Sequence, residues 1–169
     1  MNQETLHKIS YGMYILCSGS NGKFNGQIVN TVFQITSEPA NIAVSVNKEN
    51  FTHEYLLSSK KFTVSILSKN APMTLIGQFG FKSGRDTDKF KGIKSSKFMS
   101  GIPVVMDGSI GYIEAEIIGQ QDCATHTIFI GKVINADITS TDEPMTYAYY
   151  HEVKKGTSPK AAPTYIKEE

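Results

Sequence analysis

The sequence predicts an all-β, mainly antiparallel fold, a barrel or sandwich carrying two or three short helices. Three observations lead there. About seven β-branched or alternating runs lie between turn signals. Helix-period segments are few and short. The helical crossovers that a parallel sheet needs between most of its strands are missing. The 169 residues suit one domain, and nine Phe and eight Tyr supply core bulk in the absence of Trp.

Residues 2–8 read as a short opening helix with Leu6 and Ile9 facing the body. Residues 11–17 form the first strand, and Asn21-Gly22 is a two-residue hairpin signal after it. The partner strand runs over residues 23–35, where Gly26 marks a bulge or a close backbone approach. Residues 37–41 turn the chain, and 42–47 are apolar enough for a buried strand. Asn50 suits the N-cap of a helix over 51–59, and 61–67 alternate as the next strand. Asn70-Ala71-Pro72 opens a second helix, with Pro72 in its first turn and Gly80 at its end. Residues 81–90 are a charged loop, 93–101 are irregular and basic, and 104–106 form a short strand. Over 112–117, Ile113, Ala115 and Ile117 share one face while Glu114 and Glu116 take the exposed one. Residues 119–124 turn, and 126–134 form a buried strand with a bulge at Gly131. A loop over 139–144 leads to the aromatic run at 147–151, beside the end of the fold. The domain therefore spans 1–153, and the Pro-, Lys- and Ala-rich residues 154–169 are a tail or arm.

Charge and composition remove several functions. A net charge of +1 gives no field for nucleic acid or a membrane surface. No apolar run approaches the roughly 20 residues of a membrane helix, and the first residues lack a signal-peptide core. A cytoplasmic protein with Cys17 and Cys123 both free is expected. There is no Cys-x-x-Cys and no paired His spacing, so a metal site has no support. Walker, nucleophile-elbow and Gly-x-Gly-x-x-Gly motifs are absent too.

Polar side chains concentrate in two stretches. Gln27, Asn30 and Thr31 interrupt an apolar strand; Ser45, Asn47, Lys48, Thr52 and His53 gather where a strand gives way to a helix. Buried polar groups need partners, and a polar anionic ligand would supply them. Read locally, two accounts of the second cluster stand: helix capping by Asn50 with solvated neighbours, or an anion site at a helix N-terminus. Lys82, Arg85 and Lys89 either neutralise a phosphate or solvate a loop. His126, at the start of a buried strand, is either structural or faces a bound ring.

Taken together, Asn25 to Gln34, Ile42 to Asn50, Thr52-His53-Glu54, Gly80 to Asp86, Asp88-Lys89-Phe90, His126 to Gly131 and Tyr147 to Val153 resemble the flavin reductase-like family of FMN-binding split barrels. Within it, the sequence is most like the N-terminal flavoprotein domain of high-molecular-weight rubredoxins, with flavoredoxin more distant. The resemblance implies a Greek-key split β-barrel and a homodimer with one FMN per subunit. It places Gln27, Ile28, Val29, Asn30 and Thr31 along the isoalloxazine. Ser45, Val46, Asn47 and Thr52 would hold the ribityl chain and phosphate, with Lys48 and His53 beside them. Lys89 and Arg85 would add positive charge, His126 would be the catalytic residue where a nicotinamide stacks, and Tyr149 or Tyr150 would cover the ring.

Ile28-Val29-Asn30-Thr31 stands where common flavin reductases carry Thr-x-Asn-Ser, and no rubredoxin module follows, so a separate rubredoxin is the expected partner. The implied function is hydride transfer from NAD(P)H to bound FMN, with electrons passed to rubredoxin, free flavin or another acceptor. The alternatives are an FMN electron carrier with little direct NAD(P)H activity and a split barrel without redox chemistry.

Overall fold

Asn21 and Gly22 take φ values of 53° and 77°. Both central residues of a type I′ turn need such values, and this turn twists in the sense that strands do. It joins β1 (Tyr14–Ser20) to β2 (Lys23–Val29) in register from Ser20–Lys23 to Tyr14–Val29. The computed structural model describes residues 2–165.

A 3-10 helix, Gln3–Lys8, precedes β1, and the remaining elements are β3 (Val32–Ser37), β4 (Ala40–Asn47), α1 (Phe51–Ser59), β5 (Lys61–Leu67), α2 (Met73–Gly80), β6 (Ser95–Lys97), β7 (Pro103–Val105), β8 (Ser109–Cys123), β9 (His126–Ile138) and α3 (Tyr147–Glu152). Seven strands form one antiparallel sheet in the order β2-β1-β5-β8-β9-β4-β3, and β6 pairs with β7 separately. The two edge strands, β2 and β3, are consecutive in the chain and joined only by Asn30-Thr31. Two residues reach no further than about 10 Å from strand to strand, so the sheet must curl until its edges nearly meet. This is a split barrel.

Alternation along β1 feeds two cores. Ile15 and Cys17 pack with Leu75, Ile76 and Phe79 of α2, while Leu16 points to Val44, Leu56, Phe62 and Phe129 inside the barrel. Gly26 is a close approach, not a bulge: a Cβ there would lie 2.8 Å from Phe79 Cε1 and 2.9 Å from Cys17 Sγ. Both cysteines are free thiols. No described helix is long and apolar enough to cross a membrane.

The structure corrects several expectations. Residues 23–35 are two strands, because the polar pair Asn30-Thr31 carries the chain across the barrel's split. The stretch at 119–124 is mostly strand: β8 runs to Cys123, and the turn is at Ala124-Thr125. The β8–β9 register shifts at Ile118 and Ile134, so Gly131 is no bulge; its bare Cα admits the Phe62 ring, 2.6 Å from where a Cβ would sit. Pro72 is the N-cap of α2, not part of its first turn, and Asn50 caps α1 by position without a side-chain hydrogen bond. Leu6 and Ile9 are exposed. Glu114 is fully buried; it accepts from Met99 N, Ser100 N, Ser100 Oγ and Asn135 Nδ2. Burial alone would raise its carboxyl, but those bonds outweigh it and hold the pKa below the ordinary value. The residues expected as an aromatic run at the end of the fold form α3.

Candidate functional site

The barrel's split is where the sheet cannot satisfy its own polar groups. Next to it lies a cavity of about 350 Å³, within the range of small-molecule sites. One wall is built from β2, the Asn30-Thr31 crossing and β4, which present Gln27, Ile28, Val29, Asn30, Thr31, Ser45 and Asn47. The strand pleat explains the spacing in β4: Ser45 and Asn47 face the cavity, while Val46 points into the barrel core.

At one end the cavity meets the start of α1. Asn47, Asn50, Phe51 and Thr52 line it there, facing Ser83, Gly84 and Arg85 from the loop after α2. The first-turn amides and helix dipole make this end electropositive, and the Asn50 side chain does not cap them. Thr52 is held in place by Asn25, whose Nδ2 donates to Thr52 Oγ1 at 2.8 Å in a buried contact. Arg85 pairs with Glu54 and lies over the Phe51 ring, 4.5 Å from its centroid.

Lys89 lines the cavity, but its ammonium is anchored behind the wall. Nζ donates to Gly26 O at 2.9 Å and Phe79 O at 3.2 Å. It thereby pairs the free edge of β2 and caps the C-terminal carbonyls of α2 in one stroke. Burial pushes its pKa down to about 8, with the neighbouring Cys17 thiol acting the other way.

His126 begins β9 at the cavity. Its Nδ1 is 2.9 Å from Thr125 Oγ1, and its buried Nε2 has no hydrogen-bond partner. Burial lowers its pKa; the Ala161 backbone lies close enough to act the other way but makes no full hydrogen bond to Nε2, and the ring is neutral at neutral pH. Gln27 Oε1 and Asn30 Oδ1 are likewise buried and unpartnered. Three of the four such side-chain atoms among the described residues therefore sit on one cavity. A buried polar group left unpaired costs about 1–3 kcal/mol, so three in one place mark a ligand surface. Two amide oxygens and an imidazole nitrogen suit the ring N–H, carbonyls and hydroxyls of a flavin, and the α1 end suits its phosphate.

Four of the expected site residues do not line the cavity. Val46 is core. Lys48 pairs with Asp122 at 3.2 Å. His53 Nε2 bonds Thr127 Oγ1 at 2.9 Å, and that hydroxyl donates to Asp122. One carboxylate at the end of β8 thus draws both Lys48 and His53 away from the site. Tyr149 turns outward toward Lys69, because Tyr147 and Tyr150, three apart on α3, take the inward face. No cluster of metal-ligating residues exists among the described residues.

Sequence reasoning missed the opposite wall. Thr157, Ser158, Pro159, Ala161, Ala162 and Pro163 fold back over the cavity. Asn30 Nδ2 donates to Thr164 Oγ1 at 3.0 Å, and Asn47 Nδ2 donates to the Ala161 carbonyl at 3.3 Å. Nothing local in a Pro- and Ala-rich stretch signals where it docks. Only the partners' positions in space do.

Comparison with known proteins decides the lineage. Residues 6–158 match the family model described as flavin reductase like domain. The chain belongs to this family. It is 50% identical over 165 residues to the high molecular weight rubredoxin of Moorella thermoacetica, covering 98% of this chain and 72% of that one. It is 44% identical over 166 residues to the ferric-chelate reductase (NAD(P)H) of Archaeoglobus fulgidus, covering 98% of each. The flavoredoxin structure from Methanosarcina acetivorans superposes with a TM-score of 0.70 at 20% identity, over 76% of this chain and 68% of that one, a likeness of fold alone. The family's flavin is thus the group that the unpartnered atoms of the cavity suit.

Proposed function

We propose that this chain is an NAD(P)H-dependent oxidoreductase that holds FMN in the cavity beside the barrel's split and passes electrons to rubredoxin, free flavin or another acceptor. The observation that carries the reading is the convergence of Gln27 Oε1, Asn30 Oδ1 and His126 Nε2, all buried and unpartnered, on a cavity that ends at a helix N-terminus. The relatives support the reactants: the name of one carries NAD(P)H and that of another rubredoxin. The start of α1, lined by Asn47, Thr52 and Arg85, suits a flavin phosphate, and FMN is chosen because the resemblance implies it and a solved neighbour of the same fold is named as FMN-binding.

When bound, FMN supplies the redox chemistry, accepting a hydride and releasing electrons. The protein binds and orients. Gln27, Asn30 and Thr31 fix the ring edge on a backbone that Lys89 holds rigid from behind. Thr52, positioned by Asn25, takes the phosphate end. His126, neutral at neutral pH, would offer Nε2 as a hydrogen-bond partner to the ring or to a nicotinamide without adding a positive charge to the site. The resemblance also implies a homodimer, and the outward Phe33 and Ile35 on edge strand β3 are an apolar surface consistent with one.

The test is a visible spectrum of the purified protein, chromatography of the flavin released on denaturation, and anaerobic addition of NADH and NADPH. Released FMN and bleaching by a nicotinamide are expected. Released FAD would overturn the cofactor choice. A flavin band that neither nicotinamide bleaches would make the chain an electron carrier.

A further inference from the structure

The segment after α3 is attached differently from every other wall of the cavity. Its only backbone bonds beyond residue 156, among those described, are local turns: Ala162 N to Pro159 O at 2.9 Å and Tyr165 N to Ala162 O at 3.1 Å. Side chains hold it down. Tyr147 OH bonds Ser158 Oγ and, at 2.7 Å, Thr164 Oγ1; Tyr150 OH donates to Thr157 O at 3.0 Å; Asn30 and Asn47 reach Thr164 and Ala161. No large apolar side chain between residues 157 and 164 is available for burial. The bonds and the packing of the Pro and Ala side chains are opposed by an ordering entropy of similar size, so the seated and lifted states lie close in free energy.

A hinge precedes it. Lys155 is left-handed at φ 57°, and Gly156 N closes the end of α3 on Tyr150 O at 2.9 Å. On the body side, Lys154 Nζ donates to Ala71 O at 3.0 Å, so α3 stays anchored whatever follows Gly156 does. Residues 157–159 and 161–163 line the same cavity as Gln27, Asn30 and His126, and the segment touches the strand wall at Asn30 and Asn47.

We propose that residues 157–164 are a movable cover over the mouth of the cavity, and that nicotinamide and electron acceptor reach a bound flavin only when it lifts. This rests on the flavin reading above. The seated cover withholds the competent state, so apparent nicotinamide affinity is the intrinsic value scaled by the open fraction. A cover seated ten to one weakens it about tenfold, and removing the cover restores that factor.

The experiment compares the flavin-loaded full chain with a chain ended after Gly156 and with Tyr147→Phe, which loses the Ser158 and Thr164 contacts without shortening the protein. Flavin absorbance gives occupancy, and anaerobic stopped-flow at subsaturating NADH and NADPH gives the bleaching rate. With one flavin retained per chain, bleaching is expected to speed up several-fold in the shortened chain and less in Tyr147→Phe. Equal rates in all three, or slower bleaching with flavin retained, would overturn the cover. Should the shortened chain fail to fold, Tyr147→Phe decides alone. A full chain that takes up neither FMN nor FAD would defeat the functional reading instead. The cover is then read by amide hydrogen exchange at Asn30, Thr31 and Asn47: faster exchange without the segment supports it, and unchanged exchange overturns it.

Discussion

One wall of the cavity is made of β2, the Asn30-Thr31 crossing and β4, whose backbones belong to a seven-stranded ladder. The facing wall is residues 157–164, pinned by hydroxyl and amide side chains. The first is fixed by backbone pairing of β2 with β1 and of β4 with β3 and β9, and by a buried lysine behind it. The second hangs from a few polar contacts. A site that must hold a cofactor through many turnovers and yet admit other reactants needs both kinds of wall. The difference in how they are attached lets one stay while the other moves.

The contrast can be broken most severely from the sheet side. Gly131→Val drives a side chain into the Phe62 ring and Ala115 Cβ, 2.6 and 2.9 Å from the new Cβ. Overpacking of a buried strand should cost about 3 kcal/mol, seen as a lower urea midpoint with an unchanged m-value.

Lys89→Ala removes the donor to Gly26 O and Phe79 O and loosens β2 beneath Gln27. Because the lysine acts through the backbone and not on the flavin, titration should show a loss of about 1 kcal/mol, several-fold in affinity. An unchanged affinity would detach Lys89 from the site.

The same lysine gives the strand wall a pH signature. Its folded pKa, about 8, lies below the ordinary 10.5, so the folded protein holds this proton less tightly than the unfolded chain. The resulting penalty is fully present below pH 8 and is relieved as pH rises. Burial pushes the adjacent Cys17 thiol up to about 12 from 9.0, and its contribution runs the opposite way above pH 9. Stability should therefore rise by up to about 1 kcal/mol between pH 8 and 9 and then level off. Denaturant melts across that window check the rise, which Lys89→Met should abolish.

The smallest effect belongs to the facing wall. Thr164→Val deletes the contacts to Asn30 Nδ2 and Tyr147 OH. It should loosen residues 157–164 by about 1 kcal/mol in local hydrogen exchange while leaving the global melt unmoved. A change in the melting temperature would mean that the segment is part of the cooperative fold.

Much of the strand wall was legible in sequence. Asn21-Gly22 announced the hairpin, and the polar interruptions at Gln27, Asn30 and Thr31 marked residues that face a cavity. Periodicity could not tell which polar residues at the β4–α1 junction turn toward that cavity. Asn47 and Thr52 do, while Lys48 and His53 answer to Asp122, some seventy residues away in the chain. Glu114 misled for the same reason: strand alternation assigns a face, but whether that face is wet depends on what covers it, here the turn at Met99-Ser100.

By itself, the sequence determined the antiparallel class, the family and the polar clustering, because turn chemistry, strand alternation and family motifs are written in neighbouring residues. Tertiary structure alone decided that Asn30-Thr31 bridges the barrel's two edges, that Lys89 works from behind the wall and that residues 157–164 close the cavity. Each of these depends on partners far apart in the chain, and their approach is set by how the sheet curls rather than by any local preference.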